Sequence, residues 1–189
     1  MDNLYSFVYR GLLTEESLDK AGRQRFRHLG AEEQRRVAES LSLDMLDPGL
    51  LAEGQLMSVV YQAIHTFENS VRTFVQRAMS EHHAEQWWSN VPQRIQDRVK
   101  TRMEEDATFR WHGRRGESEI MYCDFGDLSS IIVTNWSVFE DVVGNMEWAK
   151  QLLNTLEKSR NIVMHGGKLQ MEDIERIGMN IRDWVRQVG

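Results

Sequence analysis

The 189-residue sequence has one cysteine, two prolines and no apolar run of membrane-spanning length. A lone cysteine, Cys123, can form neither an internal disulfide nor a cysteine-built zinc site, and it suits a reducing compartment, so a cytoplasmic location is expected. No stretch approaches the roughly eighteen apolar residues needed to cross a bilayer. The start, "MDNLYSFVYRGLL", lacks a basic flank ahead of a long apolar segment, so neither a secretory leader nor a membrane partner is expected. A net positive charge is also missing: the formal net charge is -6, which excludes a generally basic nucleic-acid binder and makes any phosphate contact local. What the chain does have is 41% hydrophobic and 28% charged residues, the balance of a globular domain. With so few helix-breaking prolines, an all-α fold is expected.

The first 49 residues carry two charge-rich helical stretches, "TEESLDKAGRQRFRHLG" and "AEEQRRVAESLSL", closed by "DPG" at Asp47 to Gly49. They suggest a helical arm over 1–49. From Leu50 to about Met79, Val60, Ile64, Phe67, Val71, Phe74 and Ala78 recur at intervals of three and four, which predicts a long core helix. A charged and aromatic segment follows, helical in its middle and loop-like near "HGRRGE". Asp124 or Asp127 can then cap a helix that buries Leu128, Ile131, Ile132 and Trp136. Two further helices are expected, about Met146 to Met164 and Met171 to Val188, joined by "HGGKLQ". The expected architecture is a bundle of four to five core helices over 50–189, with no internal repeat.

One stretch calls for a chemical explanation, "EKSRNIVMHGG" from Glu157 to Gly167. On a helical wheel Ala149, Leu152, Leu153, Leu156 and Val163 form an apolar face, and Arg160 falls in its middle. A guanidinium aimed at a core needs a carboxylate, a phosphate or a water-filled cleft. Glu68, on the shoulder of the first core helix, is the candidate partner for a buried ion pair. Glu157, Asn161 and His165 lie four apart on one stripe beside the arginine and can share a cleft. Gly166 suits the left-handed residue after a helix end, which puts His165 at the terminus, where it can give or take a proton. Spacing alone is weak, since arginine precedes histidine by five at Arg23 and His28, at Arg77 and His82, and at Arg160 and His165. The asparagine beside Arg160 and the glycine stop after His165 set the third pair apart.

Other constellations carry less. Adjacent His82 and His83 point to different sides of a helix and lack a metal-binding spacing, so no metal and no cofactor are expected. The "DFG" at Asp124 to Gly126 stands without a glycine-rich loop or an HRD segment, so it does not indicate a kinase. The patch "RWHGRRG", with Arg110, Trp111, His112, Arg114 and Arg115, can track an RNA backbone and stack a base, or simply be a solvated loop with a tryptophan anchor. Glu68 and Arg72 are spaced for an ion pair on one helix, and Trp136, Trp148 and Trp184 suit a core or a dimer interface.

"SRNIVMHGG" resembles the signature of the HEPN superfamily: an arginine, a polar residue, three variable residues and a histidine on the penultimate helix of an all-helical bundle. The resemblance is to the branch named after a nuclear messenger-RNA surveillance endonuclease, which includes small stand-alone bacterial proteins. "YRGLLTEESLDKAG", "FENSVRTFV", "WHGRRG", "DFGDLSSIIVTNW" and "NIRDWVRQVG" have the same flavour. The resemblance implies a metal-independent endoribonuclease in which Arg160 and His165 are catalytic, with Asn161 as the adjacent polar residue. It implies a homodimer in which two copies of the motif face each other, and a toxin or defence role under an antitoxin or other regulatory protein. In such cleavage the ribose 2′-hydroxyl attacks, leaving a 2′,3′-cyclic phosphate. The alternative is a non-catalytic HEPN dimer that binds a protein or nucleotide or regulates a neighbouring nuclease.

Overall fold

The computed structural model describes Thr14, Ser17 and residues 30–189. Apart from those two positions and Gly30, the first helical stretch expected in the arm lies outside the described residues, as do Arg23, His28 and most of "YRGLLTEESLDKAG". The chain divides into two compact units, Met1–Pro48 and Gly49–Gly189. In the first, helix α1 (Ala31–Ser40) runs into a short 3₁₀ turn at Leu43–Met45 and buries none of its residues.

The second unit is a bundle of helices, with no strand among the described residues. Helix α2 (Pro48–His83) has 36 residues and is therefore about 54 Å long. Met57, Val60, Ile64, Phe67, Val71, Val75 and Met79 form its buried stripe, at the three-and-four spacing the sequence sets out. After a 3₁₀ segment at Ala84–Asn90 come α3 (Gln93–Thr108), a loop, and a 3₁₀ turn at Glu119–Tyr122. Helices α4 (Phe125–Thr134), α5 (Trp136–Val143), α6 (Met146–Met164) and α7 (Met171–Val188) complete the bundle.

The apolar segment after Asp124, read from sequence as one helix, is two. Asn135 divides them: its side-chain amide donates to the Ile131 carbonyl at 3.1 Å, and its backbone leaves helical geometry. Trp136 therefore opens α5 and is only partly buried. Gly144, at φ 73°, ends α5, and the Asn145 side chain caps α6 by accepting from the Trp148 amide.

Trp184 of α7 is the hub of the core. Phe67 and Phe74 of α2 meet it edge-on at 5.8 and 5.9 Å, and Trp148 of α6 stacks on it at 6.0 Å. Phe67 reaches on to Phe125 of α4, and Phe74 to Phe139 of α5. One aromatic cluster thus ties five helices together and fixes where the polar faces of α2, α4 and α6 end up.

Candidate functional site

Beside its buried stripe, α2 presents Tyr61, His65, Glu68, Asn69 and Arg72 along about three turns. Glu68 is buried, and Arg72, one turn on, pairs with it. Arg72 also donates from Nε and Nη2 to the Cys123 carbonyl at 3.2 and 2.8 Å, and from Nη1 to Asn69 Oδ1 at 3.0 Å. That last bond fixes the Asn69 amide, because a guanidinium can only donate. Asn69 Nδ2 must then be a donor, and it meets the His65 carbonyl at 2.9 Å and His65 Nε2 at 3.2 Å. His65 Nε2 is the acceptor in this network, which leaves Nδ1 to carry the proton of the neutral ring.

Opposite α2, the start of α4 is built from charge. Asp124 and Asp127 form a reciprocal capping box, with 2.9 and 3.2 Å bonds between each carboxylate and the other's amide. Arg102 of α3 clamps both, at 2.8 Å to each, and donates to the Tyr122 carbonyl at 2.5 Å, while Arg98 takes the other Asp127 oxygen at 2.8 Å. Burial pushes the Asp124 carboxyl up, but the Asp127 amide and Arg102 outweigh it and hold the group below its ordinary value. Asp127 goes the other way, raised by burial and by the neighbouring Asp124 charge. Glu157 of α6 joins this cluster: a Cβ added at Gly126 would lie 3.1 Å from its Oε1, so glycine admits the carboxylate. Burial and then Asp124 raise the Glu157 carboxyl, against the smaller pull of the Gly126 amide and Arg160.

These two surfaces enclose a cleft of about 690 Å³ that is also lined by Arg160 of α6. Of its four arginines, Arg72 pairs with Glu68, Arg102 with Asp124 and Asp127, and Arg115 with Asp106 at 3.8 Å. Arg160 has no carboxylate in ion-pair range among the described residues, and donates only to Asn161 Oδ1, at 3.2 Å. The expected buried ion pair between Glu68 and Arg160 is therefore corrected. Arg72 sits on the same helix as Glu68, one turn away, and takes the carboxylate first. Arg160 is half-buried and lines the cleft, while Ser159 occupies the buried position beside it.

Helix α6 stops where the sequence predicts. The Gly166 and Gly167 amides bond back to the Val163 and Ile162 carbonyls at 3.1 and 2.8 Å, and Gly166 has φ 75°, a Schellman stop. His165 caps the helix and is exposed. It does not line the arginine cleft; its neighbours Met164 and Gly166 line a second groove, of about 570 Å³. The stripe of Glu157, Asn161 and His165 is thus divided: Glu157 turns to the α4 cap, and the other two face solvent.

The basic loop divides as well. Arg110, Trp111, His112 and Arg114 are exposed, and Trp111, at 83% exposure, is no anchor to the core. Its neighbours are Phe109 and His112, both solvent-facing. Arg115 alone of the five lines the cleft, with its guanidinium 5.9 Å from the Tyr122 ring centre. The sequence reading missed Tyr61, His65, Asn69, Arg102 and Asp124 as cleft residues. The first three recur every four residues, on the stripe next to that of Glu68 and Arg72; Arg102 had no such signal.

The family model described as Swt1-like HEPN matches residues 62–189. The chain belongs to that HEPN family. No curated protein and no solved structure matches it. The HEPN match takes in Arg160, His165 and every cleft residue except Tyr61, which stands immediately before it. HEPN domains are all-helical modules of RNase or nucleotide-binding type that commonly dimerise and bind RNA, and the helical bundle agrees with that class. Among the described residues no helix is long and apolar enough to cross a membrane, and no three His, Cys, Asp or Glu side chains are grouped to hold a metal ion.

Proposed function

We propose that the chain is a metal-independent endoribonuclease of HEPN type, with 50–189 as the working bundle and 1–49 as a helical arm. One observation carries the reading: among the described residues Arg160 is the cleft arginine with no carboxylate in ion-pair range, and it stands on the helix whose end presents His165. A guanidinium with no ion pair among the described residues, beside three paired ones, suits a phosphate, which supplies charge and accepts two parallel N–H bonds. In this mechanism the ribose 2′-oxygen bonds to phosphorus as its proton passes to a base. The bond from phosphorus to the 5′-oxygen then breaks as that oxygen gains a proton, leaving a 2′,3′-cyclic phosphate and a 5′-hydroxyl. Arg160 stabilises the added charge on the pentacoordinate phosphorus, Asn161 orients Arg160, and His165 transfers protons. Because imidazole and guanidinium cover both tasks, the mechanism calls for no metal.

His165 lies outside the arginine cleft of its own chain, so the reading includes a homodimer in which the two motifs face each other. A toxin or defence role in the cytoplasm, held in check by an antitoxin or other regulatory protein, is part of the same reading. The same separation of His165 from the cleft favours a second reading, a non-catalytic HEPN dimer that binds a nucleotide or phosphorylated partner through Arg160. Purified protein incubated with total RNA in excess EDTA separates the two. Cleavage by wild type and none by a folded, dimeric His165→Ala variant is the expected result; equal cleavage by both would sink the enzyme reading.

A further inference from the structure

The arginine cleft and the groove beside the α6 end are separate depressions with one wall in common, Tyr61, which lines both. The cleft side carries four arginines, of which Arg72, Arg102 and Arg115 are paired with carboxylates and Arg160 has none in ion-pair range among the described residues, on a chain whose formal net charge is -6. The groove side is mostly apolar, walled by Met57, Val163 and Met164 and by the bare backbone of Gly166 and Gly167. An anion-attracting pocket that passes over an aromatic ring into an apolar slot matches a nucleotide: phosphate on one side, base on the other.

The geometry points to Tyr61 as a nucleobase platform, with the groove as the subsite for the base next to the phosphate held by Arg160. This inference rests on the RNA-cleaving reading of the cleft and adds to it a base subsite. Tyr61 is 39% exposed, and its ring is already supported on one side by His65, with centroids 5.6 Å apart and planes inclined by 32°. The support is itself held, since Asn69 bonds the His65 ring and Arg72 orients Asn69. The groove floor is fixed too: Met57 accepts the Leu169 amide at its Sδ, 3.5 Å away, and both residues are buried. An ion pair between Lys168 and Glu53, at 2.9 Å, belongs to the rim. At about 570 Å³ the groove falls in the range of small-molecule pockets, of roughly 300 to 1,000 Å³. Its lining offers few side-chain donors, so the base is taken by stacking, which tolerates sequence, rather than by edge readout.

The test uses the full chain and two non-cleavable probes of equal length, a single-stranded 2′-O-methyl oligonucleotide and a fully abasic sugar-phosphate oligomer. Loss of one stacked base costs roughly 5- to 100-fold in affinity. Tyr61→Ala should weaken binding of the base-bearing probe by that factor and leave the abasic probe unchanged, while Tyr61→Phe binds both as wild type does. Arg160→Ala should weaken both probes. Equal affinity of wild type and Tyr61→Ala for the base-bearing probe, or an equal loss for both probes, would overturn the subsite. So would a shift from dimer to monomer in Tyr61→Ala by light scattering, which would make the groove an interface between copies. Base-dependent binding through Tyr61 without any RNA cleavage by wild type would fell the enzyme reading alone and leave the subsite standing.

Discussion

Arg72 holds Glu68 one helical turn away, and this pair leaves Arg160 without a carboxylate in ion-pair range among the described residues. The Glu68 side chain is 9% exposed and that of Arg72 13%, so the two charges compensate each other out of water. Glu68→Ala should therefore destabilise the bundle by roughly 3 kcal/mol, because it strands the Arg72 guanidinium among groups that cannot replace a carboxylate. Arg160→Ala breaks no ion pair among the described residues and should change stability by less than about 1 kcal/mol while abolishing RNA cleavage. Melting curves for the two variants check the contrast. An Arg160→Ala variant as unstable as Glu68→Ala would mean that Arg160 is structural after all.

Asp127 is the keystone of the α4 start: it caps, and it receives both Arg98 and Arg102. Asp127→Ala removes a nearly inaccessible carboxylate and leaves Arg102 with Asp124 alone, a loss of roughly 3 kcal/mol. Asp127→Asn keeps an oxygen for the Asp124 amide and should fall between wild type and Asp127→Ala in chemical denaturation. If Asp127→Ala unfolds at the wild-type midpoint, the arginine clamp contributes nothing.

The bundle was legible because its signals are local. The α2 stripe, the Asp124 cap and the α6 stop at Gly166 each depend on residues within a few positions of one another, and each lies where periodicity and capping rules put it. The cleft is a different matter. Whether Glu68 pairs with Arg72 or with Arg160 is a competition between a neighbour on the same helix and a partner across the bundle, and a helical wheel does not rank the two. Arg102 reaches Asp124 and Asp127 across more than twenty residues of chain, a pairing that no spacing rule announces. The basic loop shows the same limit of spacing. Its arginines and tryptophan are dense in sequence, yet packing against Tyr122 and Asp106 draws in only Arg115.

Glu157 gives a dependence on pH that can be worked out in sign. Burial, and then the Asp124 charge, raise its carboxyl above the ordinary value of 4.5, so the folded chain holds this proton more tightly than the unfolded chain does. The stability that results is complete below the unfolded value and is lost as pH rises through the folded one. At neutral pH the ionised Glu157 is thus a cost, the reverse of Asp124, whose lowered carboxyl stabilises above its ordinary value and ceases to do so as pH falls. Glu157→Gln should melt at or above the wild-type temperature at pH 7, with the gap closing as pH drops through the ordinary glutamate range. A Glu157→Gln variant that melts well below wild type at pH 7 would refute the assignment.

Gly166 decides where His165 is held. With φ at 75° it needs the left-handed conformation, which costs a residue with a Cβ about 1 to 2 kcal/mol. A Cβ added there meets nothing within 4 Å, so the whole penalty is conformational. At Gly167 an added Cβ would lie 2.7 Å from Ile162 Cγ2 and 2.9 Å from the Ile162 carbonyl, which forces the chain to move. Gly166→Ala should lower the melting temperature by a few degrees, and Gly166→Asn by less, since asparagine tolerates the left-handed region. Both substitutions leave the arginine cleft untouched, so the abasic sugar-phosphate oligomer should bind each variant as it binds wild type. Cleavage should fall in the same order as stability, because a helix end that refolds to relieve the strain carries the imidazole with it. Full cleavage by a measurably destabilised Gly166→Ala variant would show that the position set by this helix stop is not what the chemistry uses.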